Sequence, residues 1–554
     1  MRSPALVGAT QMLYREARFA GAAAVAGVAD RHWSLEQDMI TLADCMERAL
    51  AVAGDQTAVV CGDETLTWSD VHARVTRMAG GLRGLGLSRG DRVAMLGSNS
   101  AVYFEFYVAV PCAGGIAVPI NMRLAPAEIV ALLEDSNARI LVLEPQFVEL
   151  VEGIRSRLAH VEHFVVAGGP APAGFHSLEA LPSAAGTPAD PGGHIDDVAM
   201  LLYTGGTTGR SKGVMLTHRG MMTNAMQWAM AQDLVARPHV MVVAPMFHAI
   251  GALNAVAGIV FCNPTCILPR FDPVLLFETI ERVRPNTTAM VPTMIEMLLE
   301  HPDIGRYDLS SLTRIGYGGS PMPQRILERA LVTLPDARFF QSYGQTESGP
   351  NVTILRPEYH YGDGSKLRSA GQPIPLTVLS IQDAEGRALA AGEIGEICVR
   401  SPSISPGYWH QPELSAETHR GGWHHTGDAG YLDRDGFVFI VDRVKDMIVT
   451  GGENVYAAEV EKALIAHPAV ESCAVIGIAH ERLVEQVHAI VRLRAGATAD
   501  EAGLIAHCRK TLAGYKCPRS IGFRDTPFPM TAIGKVLKRE LRKEYAASVS
   551  ASRS

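Results

Sequence analysis

Short apolar runs and amphipathic stretches alternate along most of this 554-residue chain. The apolar runs at 92–96, 118–120 and 140–143 have the length and composition of buried β-strands. The stretches at 69–85 and 102–113, which precede the first two of these runs, are long enough for helices. Repeated β–α units of this kind predict parallel sheets covered by helices on both faces, and therefore an α/β fold.

The same alternation returns after residue 220 and then changes character. A second series of apolar runs predicts further strands at 240–244, 266–268, 288–291, 314–317 and 338–341. From 376 to 400 the chain instead shows short strands separated by turn sequences, which predicts a small β subdomain.

A short charged tract, DRVKD at 442–446, divides the chain near its end. A predicted strand precedes this tract, and a compact set of strands and a helix follows it. A charged hinge without a long linker fits two domains that rotate against each other. We therefore predict a large N-terminal domain over 39–442, a hinge at 443–446 and a small, mobile α+β domain over 447–545.

Composition limits the partners and the chemistry. The net charge is −8 without a basic block, so nucleic acid is not expected as a partner. No apolar run approaches the ~18 residues that a transmembrane segment needs. The 9 cysteines are scattered without a CxxC pair, which indicates buried thiols in a reducing cytoplasm. The adjacent His424 and His425 are expected on opposite faces of a strand, as structural residues rather than metal ligands.

A loop rich in glycine and threonine follows the apolar run at 198–203. Its glycines let backbone N–H groups approach an anion, its threonines offer hydroxyl donors, and its lysine adds a positive charge. These residues are Thr204, Gly205, Gly206, Thr207, Thr208, Gly209 and Lys212. The loop is not a Walker A motif, because Ser211 precedes the lysine and Gly213 follows it. It predicts either a polyphosphate site or a glycine-rich surface turn, with a helix beginning near Thr217.

The sequence YTGGTTGRSKG at 203–213 resembles the phosphate loop of the adenylate-forming acyl-CoA synthetases, which are related to adenylation domains and firefly luciferase. The family loop usually reads YTSGTTGxPKG, so Gly205 here replaces a serine and Ser211 a proline. Further family motifs follow in the family's order as far as Lys543. The resemblance implies ATP, Mg²⁺ and the co-substrate CoA as ligands of this chain.

The same resemblance gives the predicted domains their roles. It implies an AMP-binding adenylation domain over 39–442 and a mobile AMP-binding and CoA domain over 447–545. Family chains usually begin near the segment that here starts at Met39. Residues 1–38 are therefore expected to be an N-terminal extension that is disordered or dispensable.

The segment FQSYGQTE follows a predicted strand and matches the family motif YGxTE. A hydroxyl and a carboxylate at the carboxyl end of a parallel strand lie where α/β sheets bind ligands, and Mg²⁺ prefers such oxygen ligands. The resemblance implies that Tyr343 stacks on adenine, that Thr346 contacts a phosphate, and that Thr346 and Glu347 hold Mg²⁺. The predicted nucleotide-site residues of this segment are Gln341, Tyr343, Gly344, Thr346 and Glu347.

Two glycine-containing segments complete the predicted nucleotide site. Gly318, Gly319 and Ser320 lie where the family has its GGxP motif, and by resemblance they form a floor between adenine and the acyl group. Alone, such a sequence is ordinary turn chemistry. In the small domain, Gly451 and Gly452 would let the backbone run beside the pantetheine arm of CoA.

The sequence GWHHTGD, followed later by DRVK, matches the family pattern GWxxTGD…DRxK. A carboxylate such as that of Asp428 accepts two hydrogen bonds from a diol and so suits the ribose hydroxyls. Arg443 fits the same sugar or a phosphate. By resemblance, Lys445 is the hinge residue and has no chemical role.

Lys535 and His248 are the candidate catalytic residues. By resemblance, Lys535 contacts the carboxylate and the α-phosphate, where its ammonium offsets developing charge. Alone, it could equally be one more cation in a basic C-terminal run. His248 ends the sequence PMFH and by resemblance borders the bound carboxylate as a gate, although a lone histidine beside an apolar helix is commonly structural.

These motifs imply an enzyme, an ATP-dependent carboxylic acid–CoA ligase that forms an acyl-adenylate and then an acyl-CoA thioester. The uncharged residues at 249–253 favour a medium- or long-chain fatty acid or an aromatic acid over an amino acid. Two alternatives stay open: a stand-alone acyl-adenylating enzyme that loads a carrier protein and, more remotely, a non-catalytic nucleotide-binding sensor. The expected partners are a small carboxylic acid, ATP and CoA, and a homodimer is a possible assembly.

Overall fold

The computed structural model describes residues 40–181, 193–204, 211–232, 238–320, 322–361, 364–443, 446–450, 453–480, 483–530 and 536–553. The chain divides into two compact units, Met1–Ile40 and Thr41–Ser554, and the fold described below is that of the second. The predicted extension at 1–38 lies outside the described residues, and its character stays a prediction. The domain boundary at the hinge likewise stays a prediction.

The described strands, in chain order, are β1 (Thr57–Cys61), β2 (Glu64–Thr67), β3 (Arg92–Leu96), β4 (Ile116–Pro119), β5 (Ala138–Leu143), β6 (His163–Val166), β7 (His176–Ser177), β8 (Val198–Thr204), β9 (Lys212–Thr217), β10 (Val240–Val242), β11 (Thr265–Ile267), β12 (Thr287–Met290), β13 (Arg314–Gly318), β14 (Arg338–Tyr343), β15 (Thr353–Leu355), β16 (Gln372–Pro373), β17 (Val378–Gln382), β18 (Gly395–Arg400), β19 (His424–Leu432), β20 (Val438–Arg443), β21 (Met447–Thr450), β22 (Glu453–Tyr456), β23 (Val470–His480), β24 (Val484–Leu493) and β25 (Ser520–Phe523). The described α-helices span Leu42–Ala53, Trp68–Gly84, Ala101–Cys112, Pro126–Ser136, Val148–Ile154, His218–Ala231, Ala249–Phe261, Pro273–Val283, Pro292–Glu300, Gln324–Thr333, Pro412–Thr418, Ala457–Ile465, Glu501–Cys508 and Lys538–Arg553.

Two large sheets form the body of the molecule. The first has the strand order β7-β6-β5-β3-β4-β8-β9, and only the pair β8–β9 is antiparallel among its described strands. The second has the order β16-β15-β14-β13-β12-β10-β11-β1-β2 and is parallel from β14 to β1. Two smaller sheets follow, β17-β18-β19-β20 and β22-β21-β24-β23 with β25 beside β24.

The two large sheets and their helices form five layers. Buried side chains of both sheets join one hydrophobic cluster with the helices between them, namely Leu42–Ala53, Trp68–Gly84, Ala101–Cys112, His218–Ala231 and Ala249–Phe261. A second cluster covers the outer face of the first sheet, and a third covers that of the second sheet. Each central strand is therefore buried on both faces, which explains why its sequence is a continuous apolar run.

Burial also explains the composition of the helices between the sheets. The helix Ala249–Phe261 carries apolar side chains nearly all round, and its residues from Gly251 to Ile259 are buried. Such a helix would expose a large apolar surface to water if only one side were covered, so it is stable only between two layers. Within the described part of the chain, no helix is both long and apolar enough to cross a membrane.

The observed architecture confirms the predicted α/β class with a small β subdomain and a smaller C-terminal α+β part. The predicted strands between 92 and 341 are all present within a few residues. Strand β9 is the main element that the sequence analysis missed, because it expected the glycine-rich loop to lead directly into a helix. That helix does begin after Thr217, whose Oγ1 accepts a hydrogen bond from the Gly220 N–H at 3.0 Å.

Candidate functional site

The hairpin formed by β8 and β9 carries the predicted phosphate loop. Its register places Thr204 directly opposite Lys212, so a hydroxyl and an ammonium side chain start from the same end of the hairpin. The residues between them, Gly205, Gly206, Thr207, Thr208 and Gly209, lie outside the described residues, and their role stays a prediction. Lys212 lies with its Nζ atom 5.3 Å from the ring centroid of Tyr408.

The carboxyl ends of β13 and β14 form the edge where the nucleotide site was predicted. The two strands come very close there: a Cβ atom on Gly318 would lie 2.3 Å from the carbonyl oxygen of Ser342. Glycine is therefore required at this position. Gly319 follows with a positive φ of 79° and leads the chain to the exposed Ser320. Gly318 pairs with Ser342 of β14, and the preceding Tyr317 pairs with Gln341.

A hydrogen-bond network joins the predicted adenine-stacking tyrosine to the predicted ribose carboxylate. The Tyr343 hydroxyl donates to Asp428 Oδ2 at 2.8 Å. The Gln345 side-chain amide donates to the same oxygen at 2.8 Å and to the carbonyl oxygen of Thr426 at 2.8 Å. Asp428 is only 5% exposed. Sequence reasoning did not select Gln345, which here positions the carboxylate.

Glu347 and Thr346 lie in a single 3₁₀ turn at the same edge of the sheet. The chain reaches this turn through Gly344, where a Cβ would lie 2.4 Å from the carbonyl oxygen of Pro350. The Tyr408 hydroxyl donates to Glu347 Oε1 at 3.0 Å, and none of the described lysines or arginines forms an ion pair with this carboxylate. Two oxygen-bearing side chains without a competing cation fit a magnesium ion.

His248 lies at the N-cap of the helix Ala249–Phe261, at the carboxyl side of β10. Burial, assisted by the charge of Arg123, lowers the pKa of its ring from 6.5 to about 4. The Nε2 atom is buried and has no hydrogen-bond partner among the described residues. The ring is therefore neutral at pH 7, and its Nε2 atom is available to a ligand.

The turn that carries His248 is held by residues that the sequence analysis did not select. Asn99 donates from Nδ2 to the carbonyl oxygen of Ala244 at 3.1 Å, and its Oδ1 accepts from the Met246 N–H at 2.7 Å. The Tyr107 hydroxyl donates to the carbonyl oxygen of Met246. These roles could not be predicted from a local motif, because Asn99 and Tyr107 precede the turn by more than 130 residues.

An apolar cavity lies beside the helix that follows His248. Aliphatic and sulfur side chains line it, including those of Leu202, Leu216, Met221, Ala252, Leu253 and Val256. Ser403 supplies the polar side chain among its described lining residues, and no charged side chain of that part of the chain lines it. The cavity is small, about 20 Å³, and its uncharged lining suits a hydrocarbon or aromatic group better than a charged one.

The two histidines predicted to be structural lie on opposite faces of β19. In the register with β18, His424 pairs with Val399 and His425 pairs with Cys398. His425 Nδ1 lies 2.8 Å from Glu396 Oε2 and 3.3 Å from Cys398 Sγ. These groups have the composition of a metal site. The Glu396 carboxylate, however, also accepts from Arg420 at 2.7 Å and from the Gly427 N–H at 3.0 Å, so we interpret it as the anchor of the bulge before Asp428.

The remaining predicted residues belong to the hinge and the C-terminal part. Arg443 pairs through its backbone with Asp428 across β19 and β20, which places the last residue of β20 beside the ribose carboxylate. Lys445, Gly451, Gly452 and Lys535 lie outside the described residues. The roles of all these residues stay predictions.

Two sequence models of protein families match this chain. The sequence model of the AMP-binding enzyme family matches residues 46–409, and that of the AMP-binding enzyme C-terminal domain matches residues 459–535. A feruloyl-CoA synthase from Amycolatopsis sp is 39% identical over 501 residues, which cover 88% of this chain and 96% of the relative.

Two further relatives illustrate the range of acids and acceptors. A fatty acid–acyl-carrier-protein ligase from Streptomyces coeruleorubidus is 36% identical over 498 residues, covering 88% of this chain and 93% of the relative. The crystal structure of an anthranilate CoA ligase in complex with anthranoyl-AMP matches with a TM-score of 0.80 at 30% identity, covering 93% of this chain and 98% of that one.

Proposed function

This chain belongs to the AMP-binding, adenylate-forming enzyme family and is an AMP-forming acid–thiol ligase; from that premise we propose that it joins a fatty or aromatic carboxylic acid to CoA. One observation carries the proposal: Tyr343, which hydrogen-bonds to Asp428 of β19, ends the strand β14 that leads into the 3₁₀ turn of Glu347, and an apolar cavity lies beside the helix that follows His248. These features support a nucleotide site and an uncharged acyl site in one fold.

In the proposed first half-reaction, a carboxylate oxygen of the acid attacks the α-phosphorus of ATP, and the bond from this phosphorus to the bridging oxygen breaks and releases pyrophosphate. Tyr343 stacks on adenine, Asp428 accepts hydrogen bonds from the ribose, and Lys212 offsets phosphate charge. Magnesium held by Thr346 and Glu347 would neutralise part of the triphosphate charge.

In this proposal His248 borders the acid. Because its ring is neutral, it forms no ion pair with the carboxylate that would hinder the attack on the α-phosphorus. Lys535 is proposed to stabilise the charge that develops between the carboxylate and the α-phosphate. This assignment rests on the family resemblance, since the residue lies outside the described part of the chain.

In the proposed second half-reaction, the CoA sulfur attacks the acyl carbon of the adenylate, the carbon–oxygen bond to AMP breaks, and the thiol proton passes to water. We propose that the C-terminal domain turns about Lys445 between the two steps, so that Gly451 and Gly452 border the pantetheine arm. Substrates such as ATP and CoA also support the predicted cytoplasmic location, and a homodimer stays a prediction.

Carrier-protein loading is the second candidate function, because a relative 36% identical to this chain is a fatty acid–acyl-carrier-protein ligase. In that case a phosphopantetheine thiol on a separate protein would replace CoA in the second half-reaction. The non-catalytic sensor has no such support, since the family and the relatives reported above are enzymes.

The decisive experiment measures AMP release by the purified protein with Mg·ATP and a panel of acids. The panel runs from acetate to palmitate and includes benzoate and coumarate, each with and without CoA. We expect AMP release that depends on CoA and is fastest with an apolar acid. Pyrophosphate exchange without CoA-dependent turnover would instead support the carrier-loading function, and neither activity with any acid would contradict both.

A further inference from the structure

Tyr408, which belongs to none of the predicted site motifs, contacts two oppositely charged side chains of the predicted nucleotide site, Glu347 and Lys212. Its hydroxyl donates to Glu347 Oε1 at 3.0 Å. The ammonium of Lys212 lies 5.3 Å from the centroid of its ring, within the range of a cation–π contact. A single side chain therefore touches the predicted magnesium carboxylate on one side and the phosphate-loop lysine on the other.

The backbone around Tyr408 is fixed to the strand that carries Lys212. The Trp409 N–H donates to the carbonyl oxygen of Gly213 at 2.8 Å, and Tyr408 itself forms an antiparallel bridge with Val214. This part of the chain thus extends the edge of β9. The backbone position of Tyr408 is therefore set by β9.

A second set of contacts fixes the same segment on the side of Glu347. The Ser405 N–H donates to the carbonyl oxygen of Glu347 at 2.9 Å, and the Tyr408 N–H donates to Ser415 Oγ at 2.9 Å. The segment from 405 to 409 therefore bridges β9, which ends at Thr217, and the 3₁₀ turn of Glu347, which begins at Thr346.

The chemistry of a phenol suits this place between two opposite charges. A phenol hydroxyl orients a carboxylate through a hydrogen bond but leaves its negative charge in place, which a lysine or arginine would neutralise. The ring face likewise attracts an ammonium without neutralising it. Within the described part of the chain, neither Lys212 nor Glu347 forms an ion pair, although their charges are opposite and both border Tyr408.

We propose that Tyr408 is a positioning residue that keeps Lys212 and Glu347 apart and orients the Glu347 carboxylate for the metal of Mg·ATP. This inference rests on the proposed function, because it assumes that Glu347 holds the metal and that Lys212 contacts phosphate. Without the tyrosine, Lys212 and Glu347 would form an ion pair. Lys212 would then no longer contact the phosphate, and Glu347 would no longer bind the metal.

Two substitutions separate the two contacts. Tyr408→Phe removes only the hydroxyl and keeps the ring beside Lys212, whereas Tyr408→Leu removes both. Tyr361→Phe is the matched control, because Tyr361 is 52% exposed and loses the same hydroxyl. Thermal unfolding of each variant checks its folding, and the Phe variant carries the test if the Leu variant does not fold.

The readout is Mn²⁺ binding measured by electron paramagnetic resonance, with a non-hydrolysable ATP analogue present. We expect Tyr408→Phe to weaken Mn²⁺ binding about tenfold. Removing a group that orients a metal ligand typically lowers metal affinity by about 10–100-fold, and this value is the lower end of that range. The affinity for the metal-free analogue should stay unchanged in this variant. Tyr408→Leu should weaken both affinities, because Lys212 then pairs with Glu347.

Mn²⁺ binding by Tyr408→Phe that equals that of Tyr361→Phe would overturn the inference, and so would wild-type protein that binds no Mn²⁺ with the analogue. The proposed function fails in a different way. Wild-type protein that binds Mn²⁺ and the analogue, but releases no AMP with any acid, would contradict the ligase reaction while the effect of Tyr408 on the metal could still be measured.

Discussion

At the scale of single residues, Asp428 shows how much of the site depends on one carboxylate. One of its oxygens accepts from both the Tyr343 hydroxyl and the Gln345 amide. These two donors hold the carboxylate in one orientation, and the ribose diol of the proposed nucleotide would have to bind to it in that orientation. The geometry of the side chain is therefore set before a nucleotide arrives, which lowers the entropic cost of binding.

We expect Asp428→Asn to raise the KM for ATP by about tenfold or more, because a hydrogen bond to a charged group contributes about 1.5–3 kcal/mol. The KM for the acid should change little. Steady-state kinetics of AMP release measure both constants. Asp63→Asn is the control, because the Asp63 side chain is fully exposed. A normal KM for ATP in Asp428→Asn would rule out the ribose contact.

Lys535→Ala should remove acyl-adenylate formation and spare thioester formation from a supplied acyl-adenylate, because the lysine is proposed to act only in the first half-reaction. Lys543→Ala, from the same basic C-terminal run, serves as the control and should keep both activities. Pyrophosphate exchange measures the first step and thioester formation the second. An equal loss of both steps in Lys535→Ala would contradict the assigned role.

The sequence predicted the candidate-site residues that belong to local motifs, such as Tyr343, Thr346 and Glu347. The ones it did not reveal act across long distances in the chain. Gln345 reaches a carboxylate 83 residues away, and Tyr408 reaches Glu347 over 61 residues. Periodicity and motifs report what neighbours in sequence do together, so contacts of this kind need the folded structure.

At the scale of elements, the strand predictions are confirmed where both faces of the strand are buried. In β3, for example, Val93 and Met95 join the inner hydrophobic cluster, while Ala94 and Leu96 join the outer one. Such a strand is apolar throughout and is easily detected. Strand β9 carries the charged Lys212 at its start and lies at the edge of its sheet, so its pattern is weaker.

The helix Ala249–Phe261 is proposed to determine which acids fit. Ala252 lines the apolar cavity, and Ala252→Phe would add a ring to this space. We expect the rise in KM caused by this substitution to be at least about ten times larger for long-chain acids than for short-chain acids. The KM for ATP should stay unchanged and serves as the internal control. The acid panel with AMP release measures the ranking. A ranking identical to that of the wild type would place the acyl group elsewhere.

At the scale of the whole molecule, buried histidines couple stability to pH. Burial lowers the pKa of His218, His248 and His360 from 6.5 to about 4, and that of His424 to about 3. Between pH 6.5 and 4 the unfolded chain therefore binds more protons at these rings than the folded chain does. The free energy of unfolding must fall as the pH falls through this range.

The variant His424→Phe tests this coupling, because both ring nitrogens of His424 are buried without hydrogen-bond partners among the described residues. We expect the loss of stability between pH 7 and 5 to be about 1–2 kcal/mol smaller in this variant, since one pKa unit corresponds to 1.36 kcal/mol. Urea unfolding at both pH values measures it. The control is His194→Phe, because the His194 side chain is 44% exposed.

The strand order of the second large sheet has a consequence for the synthesis of the protein. Val59 of β1 pairs with Thr265 of β11, and the N-terminal helix Leu42–Ala53 contacts the helix Ala249–Phe261. A ribosome adding about 5–20 residues per second needs about 10–40 s to make the intervening chain. Throughout that interval β1 lacks its partner β11, so we expect the nascent chain to expose an unpaired strand edge until β11 is made.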